Sequence, residues 1–354
     1  MNVSTVQITI MAVTLSAANS AFSAPQVYIP LGAQNQLQVV DAATNRVTGV
    51  IEDVTNAHGL AGTPDGRYLV AGSMTATASG DDAAPPRPAG VSEAEHEKHH
   101  AKAPASESNA AGISSVSIID TAKMEIVRRV SVPGAVHHVA VSPDGRFAVA
   151  TLPGAGGISI IDMETFAVLP TVATGPAPNY AVFTKDGRRL YVSNAGDNTV
   201  SEVTVGSWTV NRRITTGVSP EHVVLSHDDR TLYVNNVADG TVSAIPLADW
   251  KVARTYKVGT APHGIEISDD GETLFASSKG EDKLVAISIS TGKVVRQIAL
   301  APAPYHVTAV RGQGTLYVSS RAENRIWVLD QQTLAPRGEV AIGGIGHQMV
   351  VAAR

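Results

Sequence analysis

HVVLSHDDRTLYVNN, residues 222–236, reads as two short strands around a turn. Val223 to Leu225 and Leu232 to Val234 are aliphatic, β-branched or aromatic, and the polar run Ser226 to Arg230 separates them. The same unit recurs along the chain: HHVAVSPDGRFAVATL at 137–152, NYAVFTKDGRRLYVSN at 179–194, HGIEISDDGETLFASS at 263–278 and YHVTAVRGQGTLYVSS at 305–320. Three of these turns carry Asp-Gly, which suits a hairpin because glycine accepts the positive φ that such turns require.

Each pair of strands, A and B, is followed by two more. Strand C is SVSIID (115–120), GISIID (157–162), NTVSEV (198–203), KLVAIS (283–288) or RIWVLD (325–330). Strand D is EIVRRVSV (125–132), TVNRRITT (209–216), KVVRQIAL (293–300) or a similar run. Six complete units start near residues 58, 137, 179, 221, 263 and 305. A seventh is split: residues 347–354 supply a lone strand A, and residues 26–52 supply B, C and D. Sharing one strand with three closes a ring without a long exposed edge. The expected fold is all-β, a single seven-bladed β-propeller of four-stranded blades over residues 24–354.

Tyr191-Val-Ser-Asn194, Tyr233-Val-Asn-Asn236 and Tyr317-Val-Ser-Ser320, each after a Ser-Pro-Asp-Gly-Arg-like turn, resemble the YVTN-repeat propeller family. The resemblance covers essentially the whole of residues 24–354 and implies the propeller fold. It implies no single activity, because the family spans surface-layer proteins, scaffolds and relatives of haem d-binding propeller domains.

Composition narrows the chemistry. The 354 residues carry a formal net charge of −5 and no Lys/Arg cluster, so no nucleic-acid partner is expected. Cysteine is absent, which leaves nitrogen and oxygen as metal ligands. Residues 1–23 read as a signal peptide: Val6 to Ala18 is mainly apolar, and Ala21-Phe22-Ser23 precedes the expected cleavage, although no Lys or Arg comes before Arg46. No other stretch would span a bilayer, so a periplasmic or secreted protein is expected, as a monomer or weak oligomer.

The histidines are the functional clue. Seven of eleven, His58, His137, His138, His222, His263, His306 and His347, fall at the start of strand A. Two positions per unit make up this register. The first holds His58, His137, Asn179, Glu221, His263, Tyr305 and His347. The second holds Gly59, His138, Tyr180, His222, Gly264, His306 and Gln348. Strand A is innermost in a propeller, so these side chains should rim the channel mouth and converge on its axis. Two adjacent inner strands lie between about 4.8 and 10 Å apart, and toward the short end of that range seven of them stand within imidazole reach of common ions.

An insert at about residues 75–112 occupies the loop between strands B and C of the first unit, on the same face. Its centre, SEAEHEKHHAK (92–102), opens with a Ser-x-x-Glu capping box and should form a short helix with His96, His99 and His100 on one side. An all-nitrogen site without cysteine suits copper first, with zinc or iron as alternatives. The plan resembles the propeller of nitrous oxide reductase, which presents a histidine ring to a copper cluster. That enzyme's cupredoxin domain needs a cysteine, which this chain lacks, so electrons would come from a separate electron-transfer or metal-delivery partner. The resemblance to haem d-binding domains implies a tetrapyrrole as the alternative cofactor, with one ring histidine as axial ligand.

Glu221 and Glu266 are the carboxylates at or just inside the ring and the candidates for acid–base work. Tyr180 and Tyr305 are candidate cofactor-binding residues, able to donate to a bound anion. The competing readings are imidazoles that only pack the rim and bond neighbouring carbonyls, and a non-enzymatic scaffold whose ring face docks a partner.

Overall fold

The computed structural model of the protein describes residues 25–77 and 112–352. The expected signal peptide and the histidines at 96, 99 and 100 lie outside the described residues.

Twenty-eight strands form seven four-stranded antiparallel sheets, so the seven-bladed propeller is borne out. The innermost strands are Ala57–Gly62, Val139–Val141, Pro178–Phe183, Pro220–Leu225, Pro262–Ile267, Pro304–Val310 and Val350–Ala352. The last of these pairs with Gln26–Leu31, matching Gln26 with Ala352 and Tyr28 with Val350. That sheet continues through Gln36–Asp41 to Arg46–Ile51, and the ring closes by the expected one-plus-three sharing.

The core is divided among the seven gaps between blades. Tyr28, Leu37, Leu60 and Leu69 join the closing blade to the next, and Val70, Val116, Val139 and Ala148 fill the following gap. The remaining five gaps hold clusters of the same kind, with Tyr191, Tyr233 or Phe275 in three of them. Each fully buried Val, Leu or Phe contributes about 1.5–3 kcal/mol, so it is the faces of adjacent sheets that hold the ring together. Apolar burial between blades leaves the axis to other residues.

The turns between strands A and B repeat one hydrogen-bonded device. In Ser142-Pro-Asp-Gly145 the serine hydroxyl donates to Asp144 Oδ1 at 2.5 Å, Asp144 accepts from Arg146 N, and Gly145 takes φ +73°. Thr63, Thr184, Ser226 and Ser268 donate in the same way to Asp65, Asp186, Asp228 and Asp270. The hydroxyl bond holds each of these five carboxyls below its usual value of 3.8.

At the opposite end of the inner strands the ladder is broken in a regular way. Pairing with strand B skips from Pro178 to Ala181, from Pro220 to Val223, from Pro262 to Ile265 and from Pro304 to Val307. The two skipped residues are the two positions of the histidine register. A bulge of this kind re-aims side chains that a regular strand would send to opposite faces. Adjacent inner strands also approach closely there. A Cβ on Gly264 would stand 2.4 Å from the Tyr305 carbonyl oxygen, and one on Gly59 would stand 2.5 Å from His138 Cα. Glycine follows His58 and His263 because the next blade's backbone occupies the space.

Gly264→Ala is therefore expected to destabilise the ring by about 1–3 kcal/mol, as overpacking against backbone does, and to lower Tm by several degrees in a thermal melt. An unchanged Tm would contradict the tight approach of these blades.

Candidate metal centre

The residues at the entries of the inner strands bring imidazoles from six blades together. His58, His137, His138, His222, His263 and His306 are all at most 4% exposed, and His347 is half-buried. They lie beneath the surface, where the sequence led us to expect side chains at the rim of the mouth. The physical reason is the bulge, which turns them inward under the loops.

First-position rings follow one another around the circle. The centroids of His58 and His347 are 4.4 Å apart, those of His58 and His137 4.6 Å, and Tyr305 lies flat on His263 at 3.8 Å and 7°. Second-position rings meet across it: His138 and His222 are 4.9 Å apart, His222 and His306 4.8 Å, and His138 and His306 5.9 Å. Two groups of three emerge, His58/His137/His138 and His222/His263/His306, in each of which one ligand atom per residue lies within 4.8 Å of the others.

Hydrogen bonds at Nδ1 set the tautomers. His58 Nδ1 lies 3.0 Å from the His137 carbonyl oxygen, which can only accept, so the proton sits on Nδ1 and Nε2 is the basic nitrogen. His138 Nδ1 lies 2.8 Å from Gln348 Oε1. That amide is fixed in orientation, since Oε1 also accepts from Leu60 N and Nε2 donates to the Tyr180 hydroxyl. His263 Nδ1 meets Glu221 Oε2 at 3.0 Å. A carboxylate or carbonyl on one ring nitrogen raises the ligand strength of the other, the arrangement common to metal-binding histidines.

Burial, reinforced by the neighbouring His137 and His222 rings, holds His138 well below the ordinary imidazole value of 6.5. Burial, then His222 and His263, does the same to His306. Both are neutral at pH 7, and Nε2 of each is buried with no hydrogen-bond partner. Neutral imidazoles with an uncommitted lone pair are what a transition metal takes.

The other expected residues fall into place around this centre. Tyr180 packs against His138 and His222 at 4.7 and 4.6 Å, with its hydroxyl on Gln348, and burial raises its pKa. Tyr305 is buried, its pKa likewise raised by burial, with the Arg321 guanidinium 5.7 Å from its ring centre. Glu221 is buried beside His263, whereas Glu266 is half-buried and binds Arg311 Nη2 at 2.5 Å.

Several residues that shape the centre were not singled out from the sequence. Ser193 accepts from Tyr180 N and donates to the Glu221 carbonyl of the next blade at 2.5 Å. Ser277 links Gly264 N to the Tyr305 carbonyl, and Thr151 links His138 N to the Asn179 carbonyl. Asn235 donates to the His263 carbonyl. These are the hydroxyl or amide residues one place before the end of strand B, which for Ser193 and Asn235 are the Ser and Asn of the Tyr-Val-Ser-Asn and Tyr-Val-Asn-Asn runs. Their recurrence was the available signal. Gln348 was visible as a ring position, but its bonds to His138, Tyr180 and Leu60 needed the fold.

With this geometry in view, residues 181–257 and 228–315 match the family model of YNCE-like beta-propellers. The chain is similar to the YNCE-like propellers. The resemblance to YVTN-type propellers read from its Tyr-Val strands is borne out. No curated protein matches the sequence. Among solved structures it is similar to hydrazine synthase of Kuenenia stuttgartiensis, at 16% identity and TM-score 0.67, over 91% of this chain and 100% of that one. It is also similar to the periplasmic gluconolactonase PpgL of Pseudomonas aeruginosa, at 15% and 0.71, over 93% and 99%. A third is the dihydro-heme d1 dehydrogenase NirN in complex with DHE, at 14% and 0.62, over 92% and 74%. At such identities the likeness shows the fold alone. Among the described residues no helix is long and apolar enough to cross a membrane.

The low imidazole values set a pH dependence. The folded-state values of His138 and His306 lie below 6.5, so the unfolded chain binds more protons at and below that pH. Stability of metal-free protein therefore rises with pH and levels off above about pH 7.5. Tm should fall between about pH 7.5 and 5.5, and fall less steeply in a His138→Gln/His306→Gln variant. A flat profile in the parent protein would contradict neutral imidazoles at the axis.

Proposed function

We propose that this propeller is an exported transition-metal protein whose histidine ring holds copper, for redox chemistry or for metal delivery and storage. The observation that carries the reading is the pair of buried three-histidine groups with neutral His138 and His306 between them. Nitrogen donors without thiolate favour Cu(II) over the other divalent first-row metals, zinc and iron included.

The residues fit an ion. Two nitrogens on one metal are at most about 4.2 Å apart, given bonds of about 2.0–2.1 Å. Donor atoms within 4.8 Å of one another therefore need to close by roughly half an ångström. His263 would ligate through Nε2 while Glu221 holds its Nδ1, and His138 through Nε2 while Gln348 holds its Nδ1. A bound copper would supply one-electron chemistry, with electrons brought by a separate partner protein. The segment that carries His96, His99 and His100 leaves and rejoins the first blade between Tyr68–Ser73 and Ile113–Asp120, which suits collection of ions at the ring face.

A tetrapyrrole in the manner of the haem d-type domains would use one axial imidazole and leaves the other six unexplained. The scaffold reading has one observation in its favour, since His58 and His137 do bond neighbouring backbone carbonyls. Metal analysis separates the readings. Protein loaded with copper and freed of excess by gel filtration should retain near-stoichiometric metal. His138→Ala/His306→Ala should retain little while keeping the circular dichroism of a β-propeller. Parent protein that elutes without copper or zinc, with an unchanged Tm on metal addition, would leave the scaffold reading, and a Soret-type band would favour the tetrapyrrole. Export is checked by mass spectrometry of protein recovered from the periplasm or medium, where a chain beginning at Ala24 is expected.

A further inference from the structure

Two residues beyond the second position of the histidine register, each inner strand presents one more side chain to the axis, as the two-residue period of a strand requires. Ala61, Ala140, Val182, Val224 and Val350 occupy this place in five blades, and all are half-buried while the residue before each, Leu60, Val139, Ala181, Val223 and Met349, is buried. The other two blades place Glu266 and Thr308 there. All seven line a single cavity of about 420 Å³.

The cavity has a direction. Its inner end is formed by Tyr180, His222, His306 and Gln348, and its outer residues include Pro143, Thr184 and Lys185 of the turns between strands A and B. It therefore runs from the turn face to the imidazoles. His306 Nε2, buried with no hydrogen-bond partner, belongs to a residue at the inner end. The two polar wall residues are held at the wall. Glu266 is neutralised by Arg311 and accepts from Ile267 N and Ala309 N, and Thr308 donates to the Met349 carbonyl. The other five residues at this level present methyl or isopropyl surface to the lumen.

We propose that this channel is the ligand entrance of the centre and that it takes small uncharged molecules able to coordinate an ion held by His222, His263 and His306. The inference rests on the metal reading above. The cavity gives an exogenous ligand a path from the turn side to an ion held by these imidazoles, and an apolar passage disfavours a charged molecule because that molecule must shed its hydration to pass.

The experiment uses the copper-loaded protein, reduced to Cu(I), with methyl isocyanide as the uncharged probe and isocyanoacetate as its anionic counterpart. Association is followed by stopped-flow infrared detection of the bound C≡N stretch. Val182→Phe and, separately, Ala140→Phe narrow the channel without touching an imidazole. Each is expected to keep the copper content of the parent and to slow methyl isocyanide association by about tenfold or more. In the parent protein isocyanoacetate should bind at least about tenfold more slowly than methyl isocyanide. Full copper content with an unchanged isocyanide rate in both variants would overturn the channel as entrance, and equal rates for the two probes would overturn its selectivity. Parent protein that holds copper but binds no isocyanide sinks this inference and leaves the metal reading standing. Parent protein that holds no copper sinks the metal reading, and the channel's role with it.

Discussion

Side-chain hydroxyls and amides that cross from one blade to the next at the axis are the constraint on which the centre depends. Thr151, Ser193, Asn235 and Ser277 each reach from strand B of their own blade to the carbonyl of a first-position residue in the following one. The apolar clusters between sheets hold the blades face to face, but they act over broad surfaces and fix angles loosely. A short hydrogen bond to a buried carbonyl has one geometry, and leaving that carbonyl without a partner costs about 1–3 kcal/mol. The bridges therefore set where the bulged residues stand, and with them where His222, His263 and His306 meet.

Burial then decides the chemistry of those imidazoles. A cluster of exposed histidines near neutral pH would be partly protonated and mutually repulsive. Beneath the loops the charged form is disfavoured both by loss of water and by the neighbouring rings, and His138 and His306 stay neutral. Glu221 gives His263 a negative neighbour, a polarising partner that carbonyl-bonded His58 lacks. The two groups of three are thus electrostatically unequal although the repeat that builds them is nearly regular.

Much of this was legible in the residues. The Asp-Gly turns, the Tyr-Val strands and the split seventh unit sufficed for the fold, because each is a local pattern repeated often enough to average out exceptions. Convergence of the histidines followed from the register alone. Their depth did not, since it depends on a bulge that alternation of apolar and polar residues does not reveal. Gly59 and Gly264 stood in the register only as positions without an imidazole, and the approach of the next blade's backbone explains them. The bridging Ser193 and Asn235 were visible as family signature and silent as to purpose, because their partners lie in another blade. The lining of the channel was within reach of simple counting, two residues on from each ring position.

Closure of the ring by Val350–Ala352 against Gln26–Leu31 has a kinetic consequence. The contact that orients His138 runs through Gln348, which also binds Leu60 across a sequence separation of 288 residues. Contacts so distant along the chain form late, after the loop-closure entropy of everything between them has been overcome. Intermediates that lack the last blade hold some of the imidazoles but not their final spacing. Assembly of the two three-histidine groups thus follows folding, because their spacing is complete only once the last blade has docked.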